Sequence, residues 1–452
     1  MVRFVKVLLA CGMIVVASAQ TPVTSQSQKM VTLHLTMSGA VPISPLLYGI
    51  NYDWNAVPGT QTEAFAHVMH SVAHVRAVRY PGGWNAEKYN WSNNTEIRWP
   101  HYSPVPGATP AEILPLFQNV TFITPSAIAI QNPARAGEVA QLSAQLVKKF
   151  SSQVKIWEIG NEWFLQRGAK QHPDILQENL SRYAMLLNQV VPRMKKANPS
   201  IHIYVVAEWN SQADAARLRK LTRPKVWDQI DGIAIHPYCG TNDDASSCTL
   251  LQKRIEEIRS ATGKQDIYAS EWAVVRNHTK DNYGIHNANF TVAAIRNMAM
   301  AGVKIGAYWP PAREIPAMSF VSRDLSTPYA TGIVFGWMST AYEGIALPVE
   351  GDMNAAAALD HKSITVFVPS AEQGPEQVRI DLTNLPVHGA VSGKVLVSAD
   401  PDDIQVSWQA SEVVLPVKIT QEADGKRYAE FILDPGIPGR GRAYEIACVT
   451  LR

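Results

Sequence analysis

The segment KIWEIGNEWF, Lys155–Phe164, places an apolar run directly before an amide and a carboxylate. Its first half is rich in residues that favour strands, so it predicts a buried strand that ends near Gly160. Asn161 and Glu162 follow the strand, and tryptophans lie on either side of them. A surface loop does not require this arrangement, whereas it suits a pocket for a polar ligand that also has a flat apolar face.

Seven further segments repeat the pattern of a short apolar run that ends on polar or aromatic residues. They are PLLYGINY (45–52), HVRAVRYPGG (74–83), SAIAIQN (126–132), IHIYVVAEW (201–209), DGIAIHPY (231–238), DIYASEW (266–272) and VKIGAYWP (303–310). Amphipathic helical patterns lie between them, such as ARAGEVAQLSAQLVKKF. Eight such units predict an α/β fold, a closed (β/α)8 TIM barrel rather than an open doubly wound sheet. No glycine-rich nucleotide loop follows the first strand.

From about residue 346 the pattern changes to short strands separated by turns. SITVFVPS, EQVRIDLTNL, GKVLVSAD, VVLPVKIT, RYAEFILD and YEIACVTLR read as strands with no amphipathic helix between them. They predict a C-terminal β-sandwich, and VTLHLTM before the barrel is expected to add an N-terminal strand to it. The predicted barrel therefore covers residues 42–345, and the predicted sandwich covers 30–41 together with 346–452.

The N-terminus has the features of a signal peptide. Arg3 and Lys6 precede VLLACGMIVVA, which is too short to span a bilayer, and ASAQ predicts cleavage after Ala19. Residues 1–19 are therefore expected to direct the chain to a secreted or periplasmic location. The alternative is a lipoprotein, because LLAC loosely resembles a lipid-attachment site at Cys11. No later segment predicts a membrane span.

Composition excludes several classes of function. The 452 residues are 46% hydrophobic and 18% charged, with a formal net charge of +2. These values support packed domains and give no electrostatic case for nucleic acid. No cysteine and histidine spacing resembles a zinc site, so neither a metal nor a cofactor is predicted. Cys239 and Cys248 flank a short polar loop and are candidates for a disulfide in an oxidising compartment, whereas Cys448 lies in an apolar strand pattern.

The strand ends of a TIM barrel meet at one rim, where the functional side chains lie. The hydrogen-bonding and aromatic residues predicted there are Asn51, Asp53, Arg79, Gln131, Asn132, Asn161, Glu162, Glu208, Trp209, Asn210, His236, Tyr238, Glu271, Trp272 and Trp309. This rim suits a polyhydroxylated ligand. Glu162 and Glu271 follow strands four and seven, on opposite sides of the barrel, and glycoside hydrolysis uses two carboxylates. The simpler alternative for either glutamate is a helix N-terminus or a surface ion pair.

Asn161-Glu162 and Glu271, at these two strands, resemble the signature of the clan A glycoside hydrolases. RYPGGW, WEIGNEW, IHPY and ASEW, with ISPLLYGINY in the first strand, together resemble glycoside hydrolase family 51, the α-L-arabinofuranosidases, over nearly the whole mature chain. Families 39, 30 and 79, which include xylosidases and glucuronidases, share much of the pattern. The segment WFLQRGAKQHP after Glu162 departs from it. The resemblance implies a secreted retaining glycosidase acting on an oligo- or polysaccharide, and leaves the sugar open.

The resemblance also implies roles for individual residues. Glu162 would be the general acid/base and Glu271 the nucleophile, with their carboxyl groups about 5–5.5 Å apart. Asn161 would bond the 2-hydroxyl of the sugar, and Arg79 and Tyr238 would contact Glu271. The other expected substrate-binding residues are His236, Asp53, Asn132, Trp209 and Trp309.

Alternatives stay open for several of these residues. Arg79 in a structural ion pair, His236 as a core histidine and Trp309 as a packing residue are each compatible with the sequence. Glu158 is expected to lie too deep to reach substrate, and Glu208 to bind hydroxyl groups. A β-glycosidase of another clan A family, or a non-catalytic carbohydrate-binding barrel, is the alternative for the whole chain.

Overall fold

The computed structural model describes residues 29–52, 54, 57–87, 89–90, 95–96, 107–240, 247–275, 285–313, 318–351, 354–370, 375–387, 391–398, 410–433 and 445–452. The predicted signal peptide, the alternative lipid site at Cys11 and the candidate Asp53 lie outside the described residues. Within those ranges, none of the helices has the length and apolar character that a bilayer span requires.

Eight parallel strands close into a barrel, which confirms the predicted fold class. In chain order they are Gly49–Asn51, Ala77–Tyr80, Val120–Thr124, Ile156–Ile159, His202–Val206, Gly232–Ile235, Asp266–Trp272 and Ile305–Tyr308, called barrel strands one to eight below. Each pairs with the next along the chain, and strand eight closes on strand one through Tyr308 and Ile50. All residues of strands two, three, six and eight are buried, which explains their near-continuous apolar sequences.

Barrel strand three differs from the prediction. The segment 126–132 was expected to be a strand, but it forms helix Ala127–Gln131, and the strand is Val120–Thr124 just before it. Both segments are short apolar runs, and periodicity cannot distinguish a strand from a helix at that length. The β-branched residues of VTFIT favour the strand, whereas the alanines of AIAIQ favour the helix. Gln131 and Asn132 therefore end a helix and not a barrel strand.

Helices surround the barrel. They are Thr62–Val72, Pro110–Ile113, Ala127–Gln131, Ala136–Phe150, Pro173–Ala197, Gln212–Leu221, Pro224–Trp227, Leu251–Thr262, Ile285–Met300 and Ala330–Ala341. Ala136–Phe150 shows why they form: Val139, Val147 and Phe150 are buried on one face. Lys148 and Lys149 occupy its last turn, where positive charge is favourable.

Two mostly antiparallel sheets pack face to face as the predicted sandwich. One contains Val349–Glu350, Lys29–Leu35, Glu376–Asp381, Arg427–Leu433 and Lys418–Gln421, in that order. The other contains Val41–Pro42, Ile345–Leu347, Ala356–Asp360, Ser363–Pro369, Ile446–Leu451, Val391–Ser398 and Ala410–Val414. Leu33 and Phe431 of the first sheet share a core with Val366 and Val449 of the second. The N-terminal strand thus belongs to the sandwich, parallel to Glu376–Asp381.

Candidate active site

Glu162 and Glu271 lie close together at the C-terminal rim of the barrel. Glu162 follows barrel strand four, and Glu271 lies near the end of strand seven. One oxygen of each carboxylate and one ring nitrogen of His236 all lie within 4.8 Å of one another. His236 Nδ1 lies 3.1 Å from Glu162 Oε1 and 4.0 Å from Glu271 Oε2. The histidine from strand six therefore lies between the two carboxylates.

Arg79, from barrel strand two, organises the floor of this site. Its Nε donates to Glu158 Oε2 at 2.7 Å, and its Nη2 donates to Glu158 Oε1 at 2.9 Å and to Asn161 Oδ1 at 2.8 Å. Its Nη1 donates to Glu271 Oε2 at 3.0 Å and to Asn51 Oδ1 at 2.8 Å. All five N–H donors of the guanidinium are therefore used, which fixes its position and that of its partners.

The charge of Arg79 is strongly favoured in this position. Burial alone would lower the pKa of Arg79, but the attraction of Glu158, its hydrogen bonds and the attraction of Glu271 outweigh burial, so the pKa is raised. Glu158 is fully buried and also accepts a bond from Ser270 Oγ at 3.0 Å. Glu158 lies within barrel strand four and supplies the counter-charge that holds Arg79. Arg79 is thus in a buried ion pair with Glu158 and in contact with Glu271 as well, and its role in substrate binding stays a prediction.

Glu271 is held at both oxygens. Tyr238, from the loop after strand six, donates its hydroxyl to Oε1 at 2.5 Å, while Arg79 donates to Oε2. Burial, and then the neighbouring Glu271 charge, raise the pKa of Tyr238 well above its ordinary value, so the hydroxyl keeps its proton. Gly83 lies beside the same carboxylate, and a Cβ there would be 3.7 Å from Oε2.

His236 carries a positive charge more readily than an isolated histidine. Burial lowers its pKa, but the Glu271 charge and the bond and charge of Glu162 outweigh burial, and the pKa is raised. With Nδ1 protonated, the ring donates to Glu162. Its Nε2 is buried and has no hydrogen-bond partner among the described residues.

A left-handed turn brings Glu162 into the site. Gly160 has φ +76°, and Glu162 has φ 43° and ψ 50°. Residues other than glycine rarely adopt this left-handed backbone conformation. Position 160 has to be glycine because a Cβ there would lie 2.4 Å from Ser126 Oγ. Between them, Asn161 is fully buried, and its Nδ2 has no partner among the described residues. That amide is a donor available to a ligand.

Glu87 is a part of the site that the sequence did not predict. Its carboxylate is buried and accepts a bond from the backbone N–H of Asn161 at 2.6 Å. Burial raises the pKa of Glu87, while bonds from Ala127, Ser126 and Asn161 oppose that rise. The RYPGGW motif ends three residues earlier, and no periodic pattern indicates that Glu87 reaches the loop after strand four. Asn51 was placed at the rim, but its bonds to Arg79 and to the carbonyls of Ser270 and Ala307 could not be predicted.

A cleft of about 600 Å³ opens on the Glu162 side of the site. Glu162, Glu208, Trp209, His236 and Tyr238 line it, whereas Glu271 does not. Glu208 accepts bonds from Asn210 at one oxygen, and burial raises its pKa. A larger cleft of about 930 Å³ lies at the opposite end of the barrel, beside residues that precede strands one to four, and contains neither catalytic candidate.

The remaining predicted site residues divide into two groups. Trp309 lies near the site, with its ring centre 6.4 Å from that of Tyr238 and the Arg313 guanidinium 4.7 Å above it. Trp209 borders the cleft and has Arg254 at 5.5 Å from its ring. Asn132 does not join them: it is exposed and accepts a bond from Ala134 N at 3.2 Å, because it caps a turn and does not end a strand.

The predicted disulfide between Cys239 and Cys248 is present. Residues Cys239–Gly240 pair with Val274–Val275, so the loops after strands six and seven are joined beside Tyr238. Cys448 is buried and unpaired, in agreement with the apolar pattern around it.

One group of described side chains could hold a metal ion: Glu162, His236 and Glu271. Their ligand atoms spread over up to 4.8 Å, wider than the roughly 3.3–3.6 Å expected between ligands around zinc with bonds of about 2.0–2.2 Å. The positive charge of Arg79, which is paired with Glu271, also disfavours a bound cation at this position. The residues therefore fit a metal poorly, and the absence of a cofactor stays a prediction.

The comparisons with known proteins bear on the fold. No family model matches the chain, and no curated protein sequence does. The family 51 α-L-arabinofuranosidase from Bifidobacterium longum aligns with a TM-score of 0.65 and 14% identity, covering 93% of this chain and 99% of that one. A thermostable GH51 α-L-arabinofuranosidase from Thermotoga petrophila RKU-1 gives the same TM-score, identity and coverage.

A family 44 xyloglucanase from Paenibacillus polymyxa aligns with a TM-score of 0.60 and 13% identity, over 94% of this chain and all of that one. The chain therefore has a barrel-and-sandwich fold similar to that of these glycoside hydrolases. At these identities the likeness establishes the fold alone, and any activity has to be argued from the site.

Proposed function

We propose that the protein is a retaining glycoside hydrolase with Glu271 as nucleophile and Glu162 as acid/base. The observation that carries the proposal is that an oxygen of Glu162 and an oxygen of Glu271 lie within 4.8 Å of each other across the barrel mouth. Retaining enzymes have this separation at about 5–5.5 Å, whereas inverting enzymes need about 6.5–9.5 Å to admit a water molecule.

The chemistry follows in two displacements. In the first, a Glu271 oxygen forms a bond to the anomeric carbon as the bond to the leaving oxygen breaks, and Glu162 gives its proton to that oxygen. In the second, Glu162 takes a proton from water, the water oxygen bonds to the anomeric carbon, and the Glu271 ester bond breaks. Two inversions at one carbon give net retention.

The surrounding residues suit these two roles. Glu271 is fixed at both oxygens by Arg79 and Tyr238, which restricts it to one geometry for attack. Among the described residues the Glu162 carboxyl group bonds to His236, and the cleft opens on its side. Asn161 offers its Nδ2 to the sugar hydroxyl next to the reacting carbon. The leaving group therefore occupies the cleft beside Glu162 and Glu208.

We place α-L-arabinofuranosides first among substrates because the family 51 motifs and two of the similar structures agree on that family. A β-glycosidase or endo-glucanase is the second candidate, since family 44 glucanases share the fold. Secretion is proposed from the N-terminal signal pattern. Either sugar preference is compatible with a site whose polar groups are amides, carboxylates, a tyrosine and a histidine.

A panel of nitrophenyl glycosides, followed by proton NMR of the first-formed sugar, tests the proposal. The panel contains the α-L-arabinofuranoside, β-D-xyloside, β-D-glucoside and β-D-glucuronide, and cello-oligosaccharides are assayed beside it. We expect hydrolysis of at least one, with a product anomer identical to that of the substrate. Hydrolysis with inversion would exclude the double-displacement mechanism. Turnover of none, by folded protein, would favour a non-catalytic carbohydrate-binding barrel.

A further inference from the structure

Glu87 has no part in the proposed reaction, although it is a buried carboxylate in contact with the loop that carries Glu162. Glu87 is the last residue of the turn Gly83–Glu87, which follows barrel strand two, and it is 6% exposed. Oε1 accepts from Asn161 N at 2.6 Å and from Ser126 Oγ at 2.7 Å. Oε2 accepts from Ser126 N at 2.6 Å and from Ala127 N at 2.7 Å. Four donors thus converge on one carboxylate.

These four bonds join three loops of the rim. Glu87 lies in the segment after strand two, Ser126 and Ala127 lie at the start of helix Ala127–Gln131 in the segment after strand three, and Asn161 lies in the loop after strand four. Parallel strands hold their loops at one end of the barrel but do not set the loop conformations. Glu87 supplies a direct link between the loops, in a buried position where each bond counts for more than in water.

The bond to Asn161 N lies at the point where the backbone is strained. Gly160 before it and Glu162 after it both have positive φ. For a residue other than glycine, such a conformation costs on the order of 1–3 kcal/mol and persists only where the surroundings impose it. The Asn161 side chain is already fixed by Arg79, so Glu87 fixes the backbone at the same residue. A change at Glu87 would let the turn relax and would move Glu162.

We propose that Glu87 is a positioning residue, which sets the Gly160–Glu162 turn so that the Glu162 carboxyl faces the leaving-group oxygen. The proposal rests on the proposed glycosidase function. It assigns Glu87 no contact with substrate, because its oxygens are occupied by the four donors. Its loss should therefore impair proton transfer by Glu162 more than attack by Glu271.

The substitution Glu87→Gln tests this closely. An amide has one acceptor oxygen and one NH₂ group, and each Glu87 oxygen faces at least one backbone N–H. With the NH₂ group at the Oε2 position, the bonds from Ser126 N and Ala127 N are both lost, whereas at the Oε1 position only the bond from Asn161 N is lost, because the Ser126 hydroxyl can accept instead of donate. The second orientation is therefore favoured, and it breaks the bond to Asn161 N while the volume is conserved. Ser126→Ala is the milder second variant, because it removes only the Oγ bond. Glu376→Gln is the matched control, as Glu376 is 3% exposed and lies in the sandwich.

The readout is kcat/KM, which reports the first displacement, for substrates of one sugar with leaving groups from dinitrophenol to an alkyl alcohol. For Glu87→Gln we expect a loss of less than about 3-fold with dinitrophenol and about 100-fold or more with the alkyl alcohol, as for an impaired general acid. Ser126→Ala should show a smaller change in the same direction, and Glu376→Gln the wild-type dependence. An equal loss on every leaving group would overturn the proposal while leaving the glycosidase assignment intact.

A second measurement does not depend on activity. Hydrogen exchange of peptides containing residues 126–127 and 161 should accelerate by at least about 10-fold in Glu87→Gln, with peptides of the sandwich unchanged. Unchanged exchange at residue 161 would overturn the positioning role whether or not the wild type hydrolyses glycosides. If the wild type hydrolyses none while the exchange accelerates, the proposed function fails and Glu87 still positions the turn.

Discussion

Arg79→Met should destabilise the protein far more than an ordinary loss of an arginine. Arg79 and Glu158 are both fully buried and joined by two hydrogen bonds, and Glu271 is bonded on the other side. Methionine fills much of the same volume but removes the guanidinium charge that is paired with Glu158. Removing one partner of a buried ion pair costs about 3–5 kcal/mol, because the other charge is left uncompensated. That is a large part of a typical stability of about 5–15 kcal/mol.

Arg76 offers a matched control three residues earlier in the chain. It pairs with Glu343, but the two side chains are 36% and 32% exposed, so Arg76→Met should cost about 1 kcal/mol or less. Urea unfolding followed by tryptophan fluorescence measures both free energies. In the Arg79→Met background, Glu158→Gln should recover at least about 1 kcal/mol, because it removes the unpaired charge. If Arg79→Met costs no more than Arg76→Met, the buried network does not have the energetic role inferred for it.

Three further changes have defined outcomes. Burial lowers the pKa of His236, but Glu271 and Glu162 outweigh burial and raise it. The stability that protonated His236 gives the folded state is therefore complete below about pH 6.5 and is lost as pH rises through the folded-state pKa. Urea unfolding of His236→Gln should show a larger loss of stability at about pH 5.5 than at about pH 8.5, and an equal loss at the two pH values would refute this reasoning. Glu208→Gln should lower kcat/KM about 10- to 100-fold on a disaccharide and leave nitrophenyl glycosides nearly unchanged, since only the sugar leaving group presents hydroxyl groups to Glu208 in the cleft. Cys239→Ser with Cys248→Ser should cost about 2–3 kcal/mol on thermal unfolding, because the disulfide closes a loop across a separation of 9 residues; labelling of both thiols in the native wild type would contradict the pairing.

The local sequence was sufficient to predict features that depend on a single strand. Seven of the eight barrel strands follow from apolar runs that end on polar residues, and Glu162 and Glu271 follow from their positions at strand ends. Strand three failed because VTFIT and AIAIQ are both short and apolar, and only the packing of the barrel decides which one joins the sheet. The error then carried over to Asn132, whose predicted place at the rim depended on that strand.

The network below Glu162 and Glu271 could not be predicted because its contacts are distant in sequence. Arg79 and Glu158 are separated by 79 positions, and Glu87 and Asn161 by 74. Only closure of the barrel brings them together. A buried glutamate that accepts backbone N–H bonds also leaves no periodic signal, since its partners are main-chain atoms that every residue carries. Glu87 therefore became recognisable only from the bonds themselves.

The most direct test of the account is the anomeric configuration of the product formed by Glu162→Ala in the presence of azide. On a dinitrophenyl glycoside, which needs little protonation, the variant should still form the Glu271 ester, and azide should then attack it. The expected product is a glycosyl azide with the anomeric configuration of the substrate, measured by proton NMR. A glycosyl azide of inverted configuration from Glu162→Ala would contradict the assignment of Glu271 as nucleophile and Glu162 as acid/base.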